Sequence, residues 1–343
     1  MTDDLLDKIL HHLCERGPLS LRHLLFVSRR FYSVAVNHAH LWTTISLDST
    51  FFEHFYQRPE QTINKFIESC PLRSGLLPLC LHIDIDIDSS GFLLHPLDIF
   101  WRKGDQRCTS LIWDATFHKA STVKMLVGRF PKSLPSLKHI SLIEFIDPID
   151  GTQFPNCPVL ESVEILCHLT PSPHFWGTNF LRVTALSFGN YELWAGFDLT
   201  TLSLFPVLRD LTLFNVRGTG SLSGINPELP VIFEKLHILR AHGRIPHEVL
   251  TMLVAPALEE LHLKASTSNT TSVDALQNSS HPLCRSIHAL LPSAVSAEEP
   301  EWATNLSKLV RKCTRIESLY ISRWMEEECK KLLSDQDVVL HIQ

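Results

Sequence analysis

The chain has 343 residues, 44% of them hydrophobic and 20% charged, with a formal net charge of -6, a globular balance with no electrostatic footprint for nucleic acid or an anionic membrane surface. Its nine cysteines are irregularly spaced and lie mostly in apolar segments (Cys80, Cys108, Cys167, Cys284), which reads as small buried hydrophobes in a reducing compartment, cytoplasmic or nuclear, and not as a disulfide framework. No apolar run approaches the roughly eighteen residues of a membrane span, and the acidic, amphipathic start is not a secretory leader.

In chain order, Leu5, Leu6, Ile9, Leu10 and Leu13 fall on one side of a helix, because residues four apart stack on the same face. Thr2 is placed to cap it, with Asp3 and Asp4 in the positive first turn, and Gly17-Pro18 stops it. A second helical pattern after Ser20 runs through Leu24, Val27, Ser28, Phe31, Val34 and Ala35, and the piece closes on Leu41-Trp42. Helices this short bury too little apolar area to stand alone, so they need a partner surface.

The order LL..IL..L, L..VSRRF, LW..I.L over these residues resembles the F-box, the helical module by which substrate receptors dock on the Skp adaptor of Skp–cullin–F-box ubiquitin ligases. Leu5, Leu6, Ile9, Leu10, Leu13, Val27, Ser28, Phe31 and Trp42 match its pattern, over roughly an eighth of the chain. It departs at the start, where the family usually has a Leu-Pro pair and this sequence has Met1-Thr2-Asp3-Asp4. The resemblance implies adaptor contact through those nine residues. The plain alternative is a helical layer capping the scaffold behind it.

From Thr50 to Cys70 two further helical stretches are expected, one carrying Phe52, Phe55 and Tyr56, the next Ile63, Phe66 and Ile67, ended by Pro71. Leu79 to Asp88 alternates strictly between apolar and polar residues, the mark of a half-buried strand. The motif apolar-x-x-apolar-x-apolar then recurs from Cys108, Leu137, Leu160, Val183, Leu208, Phe233, Leu258, Cys284 and Ile316, with starts 23 to 32 residues apart, within or near the roughly 20–29 of leucine-rich repeats. A proline precedes four of the starts by two residues, at Pro135, Pro158, Pro206 and Pro256. Each unit therefore reads as a short parallel strand after a proline turn, and stacked units share one core. Residues 266–280 read as a loop, Glu298 to Val310 as a helix, Met325 to Leu333 as a last helix and Val338 to Ile342 as a closing strand.

The fold class expected is α/β: a short helical F-box-like module over 1–48, a helical linker and first strand over 49–107, and an irregular leucine-rich-repeat solenoid with parallel strands and a carboxyl-terminal cap over 108–343. Chemistry-bearing patterns fall short of catalysis. Asp84-Ile-Asp86-Ile-Asp88 has Ser89 and His95 where a calcium loop needs Gly and Glu. Gly218 to Gly224 lacks the glycine spacing of a dinucleotide site, the Lys of a phosphate loop and the Ser of a nucleophile elbow. His11, His12 and Cys14 have no second ligand pair for zinc. No enzyme, cofactor or metal is expected.

With core residues at the first, fourth and sixth positions of each unit, the third, fifth and seventh point together onto a concave face. The third-position ladder reads Asp210, Lys235, Glu260; the fifth Thr212, His237, His262, His288; the seventh Ile143, Leu166, Gly189, Phe214, Leu239, Lys264. An apolar row flanked by charge and histidine has the look of a target-binding surface built on Asp210, Phe214, Lys235, His237, Leu239, Glu260, His262, Lys264 and His288. Stacked histidines would lower one another's pKa and make binding pH-sensitive. In this register the face holds no basic cluster, which argues against recognition of phosphate. The resemblance thus implies a non-catalytic receptor that joins the Skp adaptor, through it a cullin, and an unidentified protein substrate, without nucleic acid or membrane. The alternative is a leucine-rich-repeat scaffold with no ligase role.

Overall fold

The structure is a computed structural model of the chain and describes residues 5–6, 8–9, 28–48, 51, 59–84, 90–115, 126, 128–143, 154–166, 179–189, 195–197, 202, 204–218, 231–243, 253–264, 285–290, 306–307, 310–311, 315–334 and 337–342. It forms two units, Met1–Ser162 with Pro171–Asn179, and Val163–Thr170 with Phe180–Gln343. The protein is mixed α/β with parallel strands, and the main strands follow one another in sequence order.

In the first unit, Leu5, Leu6, Lys8 and Ile9 are helical; Leu10, Leu13 and Val27 lie outside the described residues. Helix α1 (Arg29–Asn37) starts one residue after Ser28, whose hydroxyl accepts the Phe31 N–H at 3.2 Å. Ser28 is therefore the cap of this helix and not part of its body, because a short hydroxyl side chain can satisfy an orphan first-turn donor. A 3₁₀ turn, Ala39–Trp42, buries Leu41 and Trp42, and the Trp42 indole N–H donates to the Ala35 carbonyl at 2.7 Å.

Strands β1 (Thr44–Leu47), β2 (Leu79–Asp84), β3 (Cys108–Asp114) and β4 (His139–Ile143) pair in parallel, side by side. Helix α2 (Glu60–Arg73) crosses from β1 to β2, and α3 (Ser90–Gly104) from β2 to β3. Pro71 lies inside α2, a correction to the expected end at that residue. The helix runs on to Arg73 and is closed by Arg107, whose guanidinium donates to the Pro71 carbonyl at 2.7 Å, the Leu77 carbonyl at 3.0 Å and the Ser74 hydroxyl at 3.2 Å. A cation on the last turn satisfies carbonyls that have no partner within the helix. The core centres on rings: Trp101, Trp113 and Phe154 each meet Phe130 edge-on, with centroids 5.4 to 5.9 Å apart.

In the second unit, strands β5 (Ser162–Leu166, its first residue counted with the first unit), β6 (Ala185–Gly189), β8 (Asp210–Phe214), β11 (Ile238–His242), β13 (Glu260–Lys264), β14 (Ser286–Leu290), β15 (Ser318–Ile321) and β16 (Val339–Ile342) carry the main register. Two short parallel pairs lie on the returns, β7 (Ala195–Phe197) with β9 (Val216–Gly218) and β10 (Val231–Ile232) with β12 (Leu253–Val254). Helix α4 (Glu326–Leu332) precedes β16.

Five strands, β4, β5, β8, β11 and β13, enter through the same four-residue turn. Leu137 donates its N–H back to Leu134 O at 3.2 Å, Leu160 to Cys157 at 3.2 Å, Leu208 to Phe205 at 3.2 Å, Leu236 to Phe233 at 3.4 Å and Leu258 to Ala255 at 3.1 Å. Pro135, Pro158, Pro206 and Pro256 occupy the second turn position, where a fixed φ near -65° is already correct. Glu234 stands there in the turn that closes at Leu236. Leu236, not Phe233, is consequently the start of its unit, and the register expected for that unit was three residues early.

Candidate recognition surface

The corrected register follows from backbone geometry. The carbonyl of the second residue in a unit accepts two N–H groups from the next: Arg209 O takes those of His237 and Ile238 at 2.8 and 2.9 Å, and His237 O those of Glu259 and Glu260 at 2.8 and 2.9 Å. Asp210 is thereby opposite Ile238, Thr212 opposite Arg240 and Phe214 opposite His242, and these in turn face Glu260, His262 and Lys264. The buried alternates are Leu211 and Leu213, Leu239 and Ala241, Leu261 and Leu263.

Three expected surface residues therefore leave the strand face. Leu239 is fully buried: it takes the fourth position, which points into the core, so the apolar row expected at the seventh position is broken here. Lys235 belongs to the entry turn, and His237 precedes β11, its Nδ1 3.4 Å from Glu259 Oε1. The expected column of three histidines accordingly loses its first member. The structure keeps Asp210, Phe214, Glu260, His262, Lys264 and His288 at face positions by register, the last by its backbone alone.

It adds Ile238, Arg240 and His242, and further along Tyr320 opposite His288 and His341 opposite Tyr320. The Tyr320 and His341 rings stack, centroids 4.3 Å apart and 12° from parallel. The signal that would have found Ile238, Arg240 and His242 is Phe233-Glu-Lys-Leu236 read beside Phe205-Pro-Val-Leu208: the same turn without its proline.

The charges on this face are ordered along the strands. Arg240 pairs with Asp210, and His262 Nε2 lies 3.2 Å from Glu260 Oε2. Both carboxylates are at the third position, near the strand starts, whereas His242 and Lys264 are at the seventh, near the strand ends. Burial, reinforced by the positive charges of Lys264, His262 and Arg240, holds His242 below the ordinary histidine value of 6.5. Its ring packs against Phe214 with centroids 5.0 Å apart.

Gly189 closes β6 with φ +144°, and a Cβ there would meet the Phe214 carbonyl oxygen at 1.9 Å. Only glycine lets the two backbones come this close at the end of the strand.

The described residues of the first unit offer different chemistry. Leu6 and Trp42 are buried, which corrects their expected role as adaptor contacts; the Trp42 ring packs against Phe66 of α2, centroids 6.4 Å apart, with the Arg73 guanidinium over it. Leu5 and Ile9 are exposed, Phe31 is half-buried, and Tyr32 is half exposed beside it. An open cleft of about 440 Å³ is lined by Asp98, Trp101, Arg102, Arg129 and Pro131, with Arg129 paired to Asp98 at 2.9 Å. Burial pushes the Cys70 and Cys157 thiols up to about 12, so both stay protonated and inert at neutral pH. Among the described residues no group of three His, Cys, Asp or Glu is placed to hold a metal, and no helix is long and apolar enough to cross a membrane.

No family model matches the chain, and no curated protein matches it. Among solved structures, the crystal structure of a protein from Bacteroides fragilis is similar at 14% identity and a TM-score of 0.37, over 88% of this chain and 73% of that one. A likeness at that level carries no argument about function.

Proposed function

We propose that the chain is a non-catalytic recognition subunit that binds a protein partner on the strand face of its second unit. The observation that carries this reading is the composition of that face: Arg240, His242, His262, Tyr320 and His341 replace the small side chains that an uninvolved strand surface would tolerate. Aromatic and arginine side chains supply most of the energy at protein interfaces. Strands repeating in sequence order after a common turn support an irregular leucine-rich-repeat solenoid as the finer description of the fold.

On the F-box resemblance, the amino-terminal helices dock on a Skp-type adaptor and the partner is a ubiquitin-ligase substrate held near the conjugating enzyme. The exposed Leu5, Ile9 and Tyr32 and the half-buried Phe31 are the side chains open to such an adaptor. The burial of Leu6 and Trp42 favours a second reading, in which the same helices only cap the strands and the chain is an interaction scaffold without a ligase. Capture of purified adaptor by the full chain, lost on Ile9→Asp or Phe31→Asp, supports the receptor. No capture by the unaltered chain leaves the scaffold.

A further inference from the structure

We infer that the strand ends of β11 and β13 form a cationic clamp for an acidic, extended segment of the partner protein. The inference rests on the reading of this face as a recognition surface and names the chemistry of what it takes.

Arg240 and His262 are register partners, as are His242 and Lys264, so four basic side chains occupy a two-by-two block with about 4.8 Å between strands. The expected register has His237 at the position that Arg240 occupies and Leu239 at the position of His242. In a chain of net charge -6, a block of this sign is set against the prevailing field. The acidic groups facing it are Asp210 from β8, already paired with Arg240, and Glu260 from β13, beside His262. Both sit toward the strand starts. Lys264 is exposed, and among the described residues no carboxylate pairs with it.

Lys264 is thus the unpaired cation at this end of the block, beside a His242 ring that burial and neighbouring cations keep neutral, while Phe214 beside His242 offers an apolar wall. An extended segment crossing the strands presents alternate side chains to one face. Carboxylates spaced by two residues can then reach Lys264 and His242 together, and a small apolar residue beside them can rest on Phe214.

The clamp has a built-in sign. A carboxylate bound against His242 offsets the repulsion from Lys264, His262 and Arg240, so binding draws a proton onto the ring and tightens as pH falls toward 6.

The test is fluorescence anisotropy of the full chain with two labelled nonapeptides, one alternating Glu and Ala, the other alternating Gln and Ala. The Glu peptide is expected to bind at least about threefold tighter than the Gln peptide at pH 7.5, and tighter again at pH 6.0. Lys264→Glu, at an exposed position, is expected to remove that preference with no change in melting temperature. Lys264→Gln, which preserves length, is expected to halve it or more. Equal binding of the two peptides, or none of either, overturns the clamp. Tighter binding of a nine-base oligothymidine than of the Glu peptide also overturns it, since a general polyanion site is not a peptide clamp. Adaptor capture by the same preparation reports separately on the receptor reading, and it survives or fails independently of peptide charge.

Discussion

In the first unit the fifth-position residues of successive strands are Ser46, His82, Ile112 and Ser141, with both serines buried. In the second they are Glu164 in β5, Ser187 in β6 and a buried Thr212 in β8, then Arg240, His262, His288, Tyr320 and His341. Both have parallel strands with apolar residues on the inner face, the first with one register shift at Leu79–Cys80. The difference lies in what connects them. Helices α2 and α3 and the ring cluster around Phe130 give the first unit a large core, and two of its four outer strand positions are buried serines. The second unit invests short returns and tight turns in its core and places long ionisable and aromatic side chains outside. A strand surface bearing such residues loses little stability when they are changed. That separation of stability from surface chemistry is what allows a surface to be specialised for binding.

Substitutions at four points sharpen or break this contrast. The largest effect is expected from Trp113→Ala in the first unit, which removes a fully buried ring from the Phe130 cluster and should cost about 3–5 kcal/mol of unfolding free energy. A denaturant midpoint shifted by the equivalent of less than about 1 kcal/mol would mean that the rings are not the unit's core. In the second unit Gly189→Ala should cost about 2–3 kcal/mol, through its positive φ and the clash with Phe214 O; thermal melting reads the loss. Arg107→Ala leaves the Pro71 and Leu77 carbonyls without their donor and should cost about 1–2 kcal/mol.

The smallest effect is the pH dependence of the second unit. The folded His242 holds its proton less well than the ordinary value of 6.5, so between the two values the unfolded chain binds more protons. Stability is full above about 6.5 and falls as pH drops through the folded value. Replacing His242 with Phe should flatten the melting temperature between pH 5 and 7 relative to the unaltered chain; an identical slope would show that the ring is not held neutral.

Much of this architecture could be read from the residues. The proline turns and the parallel strands β3, β4, β5, β6, β8, β13, β14 and β15 follow from motif spacing, since apolar residues at positions one, four and six suit a strand entered through a turn, whereas the short pairs β7 with β9 and β10 with β12 carry no such motif. Where the turn lost its proline, at Glu234, the leucine spacing alone admitted Phe233 as a start, because Phe is as apolar as the leucine three residues later. That single slip moved Leu239 outward and hid Arg240 and His242. Helix α3 was not anticipated at all: Pro96 lies in its middle, and a proline ordinarily argues for a break. Tyr320 and His341 were missed for a different reason, since what brings them together is pairing between strands, which local periodicity does not contain.

The most direct measurement of the central claim is quantitative affinity capture from the source cells with three forms of the full chain: unaltered, Arg240→Ala with Tyr320→Ala on the second unit's face, and Ile112→Ser on the corresponding face of the first. All three should melt within a few degrees of one another. The partners held by the unaltered chain should be retained by the Ile112→Ser form and depleted at least about tenfold by the double variant. Equal recovery by all three forms would contradict it and place recognition elsewhere on the molecule.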